Sequence, residues 1–431
     1  MSKAQEPAPV FLSLRGMAAI GAGNALAFYD FLTFSFFAVQ IGHTFFSGSP
    51  SGHSLLLSLA IFGAGFAARP LGALVIGTYG DRAGRKPAMQ LSFALMGLGV
   101  VALALTPSAA TIGATAAVLL LIFRLLQGFA VGGELGPAIA FLVEAAPPDR
   151  RALYASVQSA TQGLAVLAAG VVGFGLTSAL SSATFEKWGW RIAFLMGALI
   201  VPVGFYVRRN VTERTHDAAD SSLQLESPVQ APLRVIVAGV LIVGALTIAN
   251  YVRTYITTYA QNTLQLATNL AFGATIGQGL GTLCAAPLAG LLADKFGRKP
   301  VALSALPLSV VLGIPLFAAM GHAHFALTIY ALTFALSALG TLISVPAITM
   351  VAESLPKAAR SGSLAMLYAV TIAVFGGSTQ LVVQKLIEVT GSTLAPAWYQ
   401  TVALVIGGAA IAAVSESAPC RHSRGRGVCH S

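Results

Sequence analysis

Apolar runs of about twenty residues alternate with short polar turns along nearly the whole chain. A helix rises about 1.5 Å per residue and the hydrocarbon core of a bilayer is about 30 Å thick, so runs of this length can cross it. The pattern predicts an all-α membrane protein with twelve transmembrane helices, over residues 17–41, 54–78, 88–106, 112–138, 154–178, 190–207, 235–259, 268–292, 301–320, 325–348, 363–386 and 399–415. A polar segment from Arg208 to Arg234, interrupted by Pro228 and Pro232, divides the spans six and six. The expected organisation is a six-helix bundle (1–207), a cytoplasmic linker (208–234), a second bundle (235–415) and a cytoplasmic tail (416–431). The tail ESAPCRHSRGRGVCHS follows a short last span and reads either as a lineage-specific ending or as a frameshift.

Composition fits this picture. With 56% hydrophobic and 9% charged residues in 431 positions, the chain has too little polar surface to cover a water-soluble globule. The start MSKAQEPAP leads into a full-length span without a cleavage-site pattern, which predicts insertion without a cleaved signal. The three cysteines have neither disulfide-framework nor metal-ligand spacing. Lys and Arg favour cytoplasmic loops. Placing both termini on that side puts 19 of the 25 lysines and arginines there, against Lys187, Arg191 and Lys385 opposite and Arg69, Arg124 and Arg253 within the spans. The net charge of +10 therefore reports topology, with nucleic-acid binding the poorer reading.

The two halves share motifs. GTYGDRAGRKP at Gly77–Pro87 returns as GLLADKFGRKP at Gly290–Pro300, and EAAPPDRR at Glu144–Arg151 is echoed by ESLPKAAR at Glu353–Arg360. Two motifs recurring at nearly one offset indicate duplicated six-helix units. Gly77 and Gly290 would permit close helix approach, and Asp81 and Asp294 would accept hydrogen bonds at a neighbouring helix start. Arg82, Gly84, Arg85 and Lys86 in the first copy, with Arg298 in the second, would join Glu144, Arg151, Glu353 and Arg360 in locking one half to the other. The plainer alternative is that these charges only enforce topology.

The first copy resembles the major facilitator superfamily signature G-x-x-x-D-[RK]-x-G-[RK]-[RK], through Gly77, Asp81, Arg82, Gly84, Arg85 and Lys86. The second copy, Gly290 to Lys299, matches equally well. FYDF (28–31), GAGFAARPLGA (63–73), RLLQGFAVGGELG (124–136) and WGWRIAF (188–194) are similar to metabolite:proton symporters of that superfamily. IGHTFF (41–46) and FGGSTQ (375–380) are similar to the citrate and tricarballylate proton symporters within it. The resemblance implies alternating access around a central substrate site in a bacterial inner membrane. It also implies a small organic anion as partner, a coupling proton, no cofactor and a monomer.

Ionisable side chains in hydrocarbon cost about 2.5 to 3.5 kcal/mol each on insertion scales, which makes them functional candidates by default. Asp30 lies mid-membrane beside Tyr29 and aromatic residues, where a carboxyl can take and release protons; the alternative is an acid permanently paired with an arginine. Asn24 and Tyr29 on the same helix are substrate-binding candidates. Arg124, with Gln127 at i+3, offers a planar fork for a carboxylate. Glu134 lies nearer the cytoplasm on the same helix, a second candidate for proton coupling, and either pairs with Arg69 or lines the cavity with it. Arg253 shares a polar stripe with Asn250, Thr254 and Thr257, alongside Tyr251, Tyr255 and Tyr259. It departs from the family's pattern, and either reads a distal carboxylate or snorkels to the outer surface. Gln158, Gln162, Gln278, Gln380 and Gln384 are weaker substrate-binding candidates, for each of which an interhelical hydrogen bond competes.

Charge then selects a substrate class. Three arginines against Asp30 and Glu134 leave the interior at +1, rising to +2 on protonation of Asp30, so an anion is favoured most when a proton is loaded. A di- or tricarboxylate importer is the first expectation. A symporter of the same fold for a zwitterion or other organic acid, or an efflux antiporter, is the alternative. The sequence leaves sodium open as the coupling ion.

Overall fold

The structure, a computed structural model, describes residues 14–48, 51–83, 85–132, 146–147, 149–198, 202, 233–321, 326–355 and 360–416. Glu134, Glu144, Gly84, the 208–234 linker up to residue 232 and the tail beyond Glu416 lie outside the described residues, as do the side chains of Asp81, Arg85, Lys86 and Arg360.

The first span is broken. Helix α1 (Leu14–Phe36) turns through 62° into α2 (Ala38–Phe45) at Phe37, a position with neither proline nor glycine. The second span is α3 (Ser51–Ala67) running into α4 (Arg69–Ala83). The seam falls just ahead of Pro70, which lacks an N–H and disfavours helical geometry in the residue before it. Helices α5 (Arg85–Leu105), α6 (Thr115–Gly132), α7 (Arg151–Ala179) and α8 (Trp190–Ala198) complete the first half. The second half holds α9 (Leu233–Asn262), α10 (Thr268–Phe296), α11 (Arg298–Gly321) and α12 (Ala326–Ser354). It ends with α13 (Arg360–Thr371), continued through a π turn at Ile372–Gly376 into α14 (Gly377–Thr390), and α15 (Ala395–Ala413). Among the described residues nine helices are long and apolar enough to span alone, and the bent α1–α2 pair makes ten. Helices α5, with a shorter apolar stretch at Gln90–Leu105, and α8 occupy the third and sixth places of the expected twelve.

Leucines, valines and phenylalanines such as Leu71, Leu105, Val311 and Leu327 are exposed on the outside, as lipid requires. Inside, lipid tails provide no hydrophobic drive for helices to associate, so close packing through small residues does it. On α6, a Cβ at Gly128 would lie 1.7 Å from the Gly65 carbonyl oxygen, and one at Gly132 2.0 Å from that of Arg69. Gly273, Gly277 and Gly281 of α10 seat α12 in the same way, against Tyr330 and Phe334. Gly77 differs from the expectation. Nothing lies within 4 Å of its missing Cβ, so no close approach occurs there among the described residues. We therefore expect Gly128→Val to destabilise the protein by at least the about 1–3 kcal/mol typical of overpacking, read as a lower melting temperature in detergent, while Gly77→Ala leaves melting unchanged.

Candidate functional site

At the centre, α1, α4 and α6 bring two arginines onto one aromatic ring. The guanidinium carbons of Arg69 and Arg124 each lie 4.1 Å from the centre of the Phe31 ring. Phe66, one turn before Arg69, stacks on it at 4.3 Å, and Phe34 and Phe62 approach Arg124 at 4.6 and 5.1 Å. Arg124 donates through Nη1 to Gln127 Oε1 at 2.8 Å and through Nη2 to the Phe31 carbonyl at 3.0 Å, while its Nε has no partner. From the second half, Tyr251 of α9 packs edge-on against Phe66 with centroids 5.2 Å apart, and its hydroxyl lies against Arg69. No carboxylate is in salt-bridge contact with either arginine among the described residues. Cation–π contacts are worth about 0.5–2 kcal/mol each, enough to hold a buried guanidinium in place but less than a paired carboxylate would supply.

Asp30, one residue before Phe31, is 3% exposed and within charge–charge reach of Arg124. Its Oδ1 has no hydrogen-bond partner and abuts Gly197 of α8, where a Cβ would lie 2.1 Å from it. Asp30 and Gln127 line one narrow gap with Ala27, Phe31, Met96 and Val131, too tight to hold a water molecule. Gln127 thus shares a gap with the acid and a hydrogen bond with the arginine, and its Nε2 is unpartnered.

At the face that carries the charged turns, Asp294 of α10 accepts from the backbone N–H of Ala152 at 3.0 Å and of Leu153 at 2.9 Å. A carboxylate at a helix start is favoured by unpaired amides and by the helix dipole. Gly290 allows the approach, since its Cβ would lie 2.7 Å from Leu153 Cα. Arg298 pairs with Asp294 and Glu353 at 3.2 Å each, and Arg151 reaches Glu353 at 3.6 Å. The cluster therefore ties the start of α7 to α10, α11 and α12, across the two halves. We expect Asp294→Ala to free this face, raising the labelling rate of a cysteine introduced at Leu153 by at least about tenfold, as loss of two charge-assisted bonds implies.

Residues 20–278 match the family described as Major Facilitator Superfamily. The chain belongs to the major facilitator superfamily. It is 35% identical to the citrate-proton symporter of Klebsiella pneumoniae, over 94% of this chain and 94% of that protein. It is 32% identical to the alpha-ketoglutarate permease of Escherichia coli, over 90% of this chain and 91% of the other. The fold is similar to that of the xylose transporter of E. coli, with a TM-score of 0.72 at 17% identity, covering 96% of this chain and 98% of that one.

Within this major facilitator protein the other candidate residues are dispersed. Tyr29 donates to the Ala193 carbonyl of α8 at 3.1 Å. Asn24 donates to Thr161 at 2.6 Å, which joins α1 to α7. Gln380 and Ser35 are hydrogen-bonded across the halves at 2.6 Å, and Thr258 donates to the Ser35 carbonyl at 3.1 Å. Tyr255 donates to Gln384 in the second half. Gln158 and Gln278 are buried, Gln158 with an unpartnered Nε2, and Gln162 is half-buried. Arg82 is exposed. At the opposite face Gln40 donates to Gln261 at 2.9 Å and to Glu186 at 3.3 Å, and the His43 ring lies 3.4 Å from Glu186. The halves of this major facilitator protein thus touch at both ends, an occluded arrangement. Phe31, Phe62 and Phe66 are not among the expected site residues, and Tyr251, expected in a stripe alongside Arg253, lies against Arg69 and Phe66. Only the i,i+3 spacing of Phe66 and Arg69 signalled a partnership.

Proposed function

We propose that the chain is a bacterial inner-membrane transporter that imports a di- or tricarboxylate such as citrate together with protons, acting as a monomer with both termini cytoplasmic. The observation that carries this reading is the pair of buried guanidiniums, Arg69 and Arg124, stacked on Phe31 beside Asp30. The ionised Asp30 partly compensates Arg124, which weakens its pull on an incoming anion. Protonation removes that compensation and leaves two cations facing the site. In a medium of low effective dielectric, such a change of one unit charge outweighs any single hydrogen bond. Substrate is therefore held most strongly when Asp30 carries a proton, and loss of that proton on the inner side weakens the hold. The Asp294 cluster at one face and Gln40, Ser35 and Gln380 toward the other are the contacts that open in turn.

Energetics set the stoichiometry. Moving a trianion inward against 100 mV costs about 7 kcal/mol, so electroneutral entry takes about three protons. Asp30 carries one, and the others enter on the partly protonated substrate. The decisive experiment is uptake of labelled citrate, tricarballylate, 2-oxoglutarate and betaine into proteoliposomes under imposed proton or sodium gradients. Accumulation of citrate with an acid exterior, abolished by a protonophore and indifferent to sodium, is expected. Accumulation of betaine instead of any carboxylate would overturn the proposal.

A further inference from the structure

Arg253 stands two residues beyond Tyr251 on α9, a rise of about 3 Å, so it lies at nearly the same membrane depth as the Arg69–Phe31–Arg124 cluster that Tyr251 touches. It leaves α9 on another side. A Cβ at Gly340 of α12 would sit 2.2 Å from Arg253 Nη1 and 2.5 Å from Cζ, so the guanidinium fills the notch that this glycine leaves. Arg253 is 5% exposed, which rules out snorkelling to the surface. Among the described residues its Nη2 donates a long hydrogen bond to Asn250 Oδ1 at 3.5 Å, and Nη1 has no partner. Ser337, one turn before Gly340 on the same face of α12, is also buried with an unpartnered hydroxyl.

A buried guanidinium normally has its five donors matched, because stranded donors cost about 1–3 kcal/mol and more when charged. Among the described residues no carboxylate pairs with this one. Arg253 Nη1 and the Ser337 hydroxyl are the unmatched donors here, and the missing side chain of Gly340 is what admits the guanidinium. A guanidinium and a hydroxyl with free donors are the groups that hold a carboxylate.

We propose that Arg253, seated in the Gly340 notch with Ser337 beside it, binds the carboxylate that distinguishes a tricarboxylate from a dicarboxylate and so sets the transporter's selectivity. This rests on the anion-importer reading above and deepens it. Arg69 and Arg124 on the first half hold the carboxylates common to both classes. The third contact lies on the second half, so a tricarboxylate bridges the two halves while a dicarboxylate engages mainly one. The side chain that favours the larger anion thereby also favours closure of the halves around it.

The test uses the full-length protein in proteoliposomes, with labelled citrate as substrate and glutarate as competitor. In the wild type, citrate should bind more tightly than glutarate. In Arg253→Gln the KM for citrate should rise about 10- to 100-fold, as expected for a lost charge-assisted contact, while the glutarate concentration giving half-inhibition stays within about twofold. Gly340→Ala keeps the arginine but fills its notch, and should produce the same selective loss. That variant guards against a folding defect in the first. Equal losses for citrate and glutarate, or no loss for either, would overturn the inference and leave the importer reading intact. A wild type that transports no carboxylate would instead overturn the importer reading itself.

Discussion

Asp30→Asn should bind and exchange substrate yet accumulate about tenfold less of it at a pH difference of one unit. Asparagine has almost the shape of aspartate and fits beside Gly197, where a Cβ would already lie 2.1 Å from Oδ1. It also copies the charge of the protonated acid, so the variant is fixed in the state that favours anion binding. Counterflow of labelled for unlabelled citrate, which requires no net proton movement, should therefore persist. Gradient-driven accumulation should fall. Each coupled proton contributes a factor of about ten per unit of pH difference, since one unit corresponds to about 1.36 kcal/mol. Removing the proton carried by Asp30 should lower the steady-state accumulation ratio about tenfold at a gradient of one unit. The sign follows from the charge: loading the wild-type acid strengthens substrate binding, so its citrate KM should fall as the outside is acidified, and this dependence should flatten in Asp30→Asn. Undiminished accumulation, or an unchanged pH profile, would remove Asp30 from the coupling step.

Burial makes ionisable residues conspicuous, which is why Asp30, Arg69, Arg124 and Arg253 could be singled out from the amino-acid order. Each has to sit in hydrocarbon, and each is at most 5% exposed in the folded chain. Hydropathy likewise announces the spans, because a run that crosses a bilayer needs a definite length. Partners are another matter. A helical wheel fixes the direction of a side chain relative to its own helix only, whereas what it meets depends on how neighbouring helices are rotated and displaced. Glu134, the nearest expected acid for Arg69, lies outside the described residues, and what the described residues place around that guanidinium are Phe31, Phe66 and Tyr251. Tyr29 is a substrate-contact candidate by its place in the sequence, and in the fold its hydroxyl donates to the Ala193 carbonyl of α8. Gly77 and Gly290 occupy equivalent motif positions, and only Gly290 is pressed against another helix. Even the break at Phe37 leaves no mark in composition, since no proline or glycine stands there.

Arg124→Lys should lower citrate affinity about 100-fold or more, the loss expected when two charge-assisted bonds go, although it preserves the net charge. The arginine's work is geometric. One planar group spans Gln127 Oε1 at 2.8 Å and the Phe31 carbonyl at 3.0 Å while presenting its face to the rings of Phe31, Phe34 and Phe62. The unpartnered Nε remains for an incoming carboxylate. An ammonium is a compact, strongly hydrated charge without that fork, so it can satisfy the carbonyls or the anion but not both in fixed register. It would also be harder to desolvate against three phenyl faces. KM and equilibrium binding should therefore both suffer, whereas the pH dependence of the residual uptake should survive, because Asp30 is untouched. That separation matters for the mechanism. If the lysine variant lost its pH dependence along with its affinity, proton and anion would be read by one indivisible group, and the two-residue division between Asp30 and Arg124 would fail. Wild-type affinity in the lysine variant would mean that the carboxylate docks elsewhere, with Arg253 the next guanidinium to examine at nearly the same depth in the membrane.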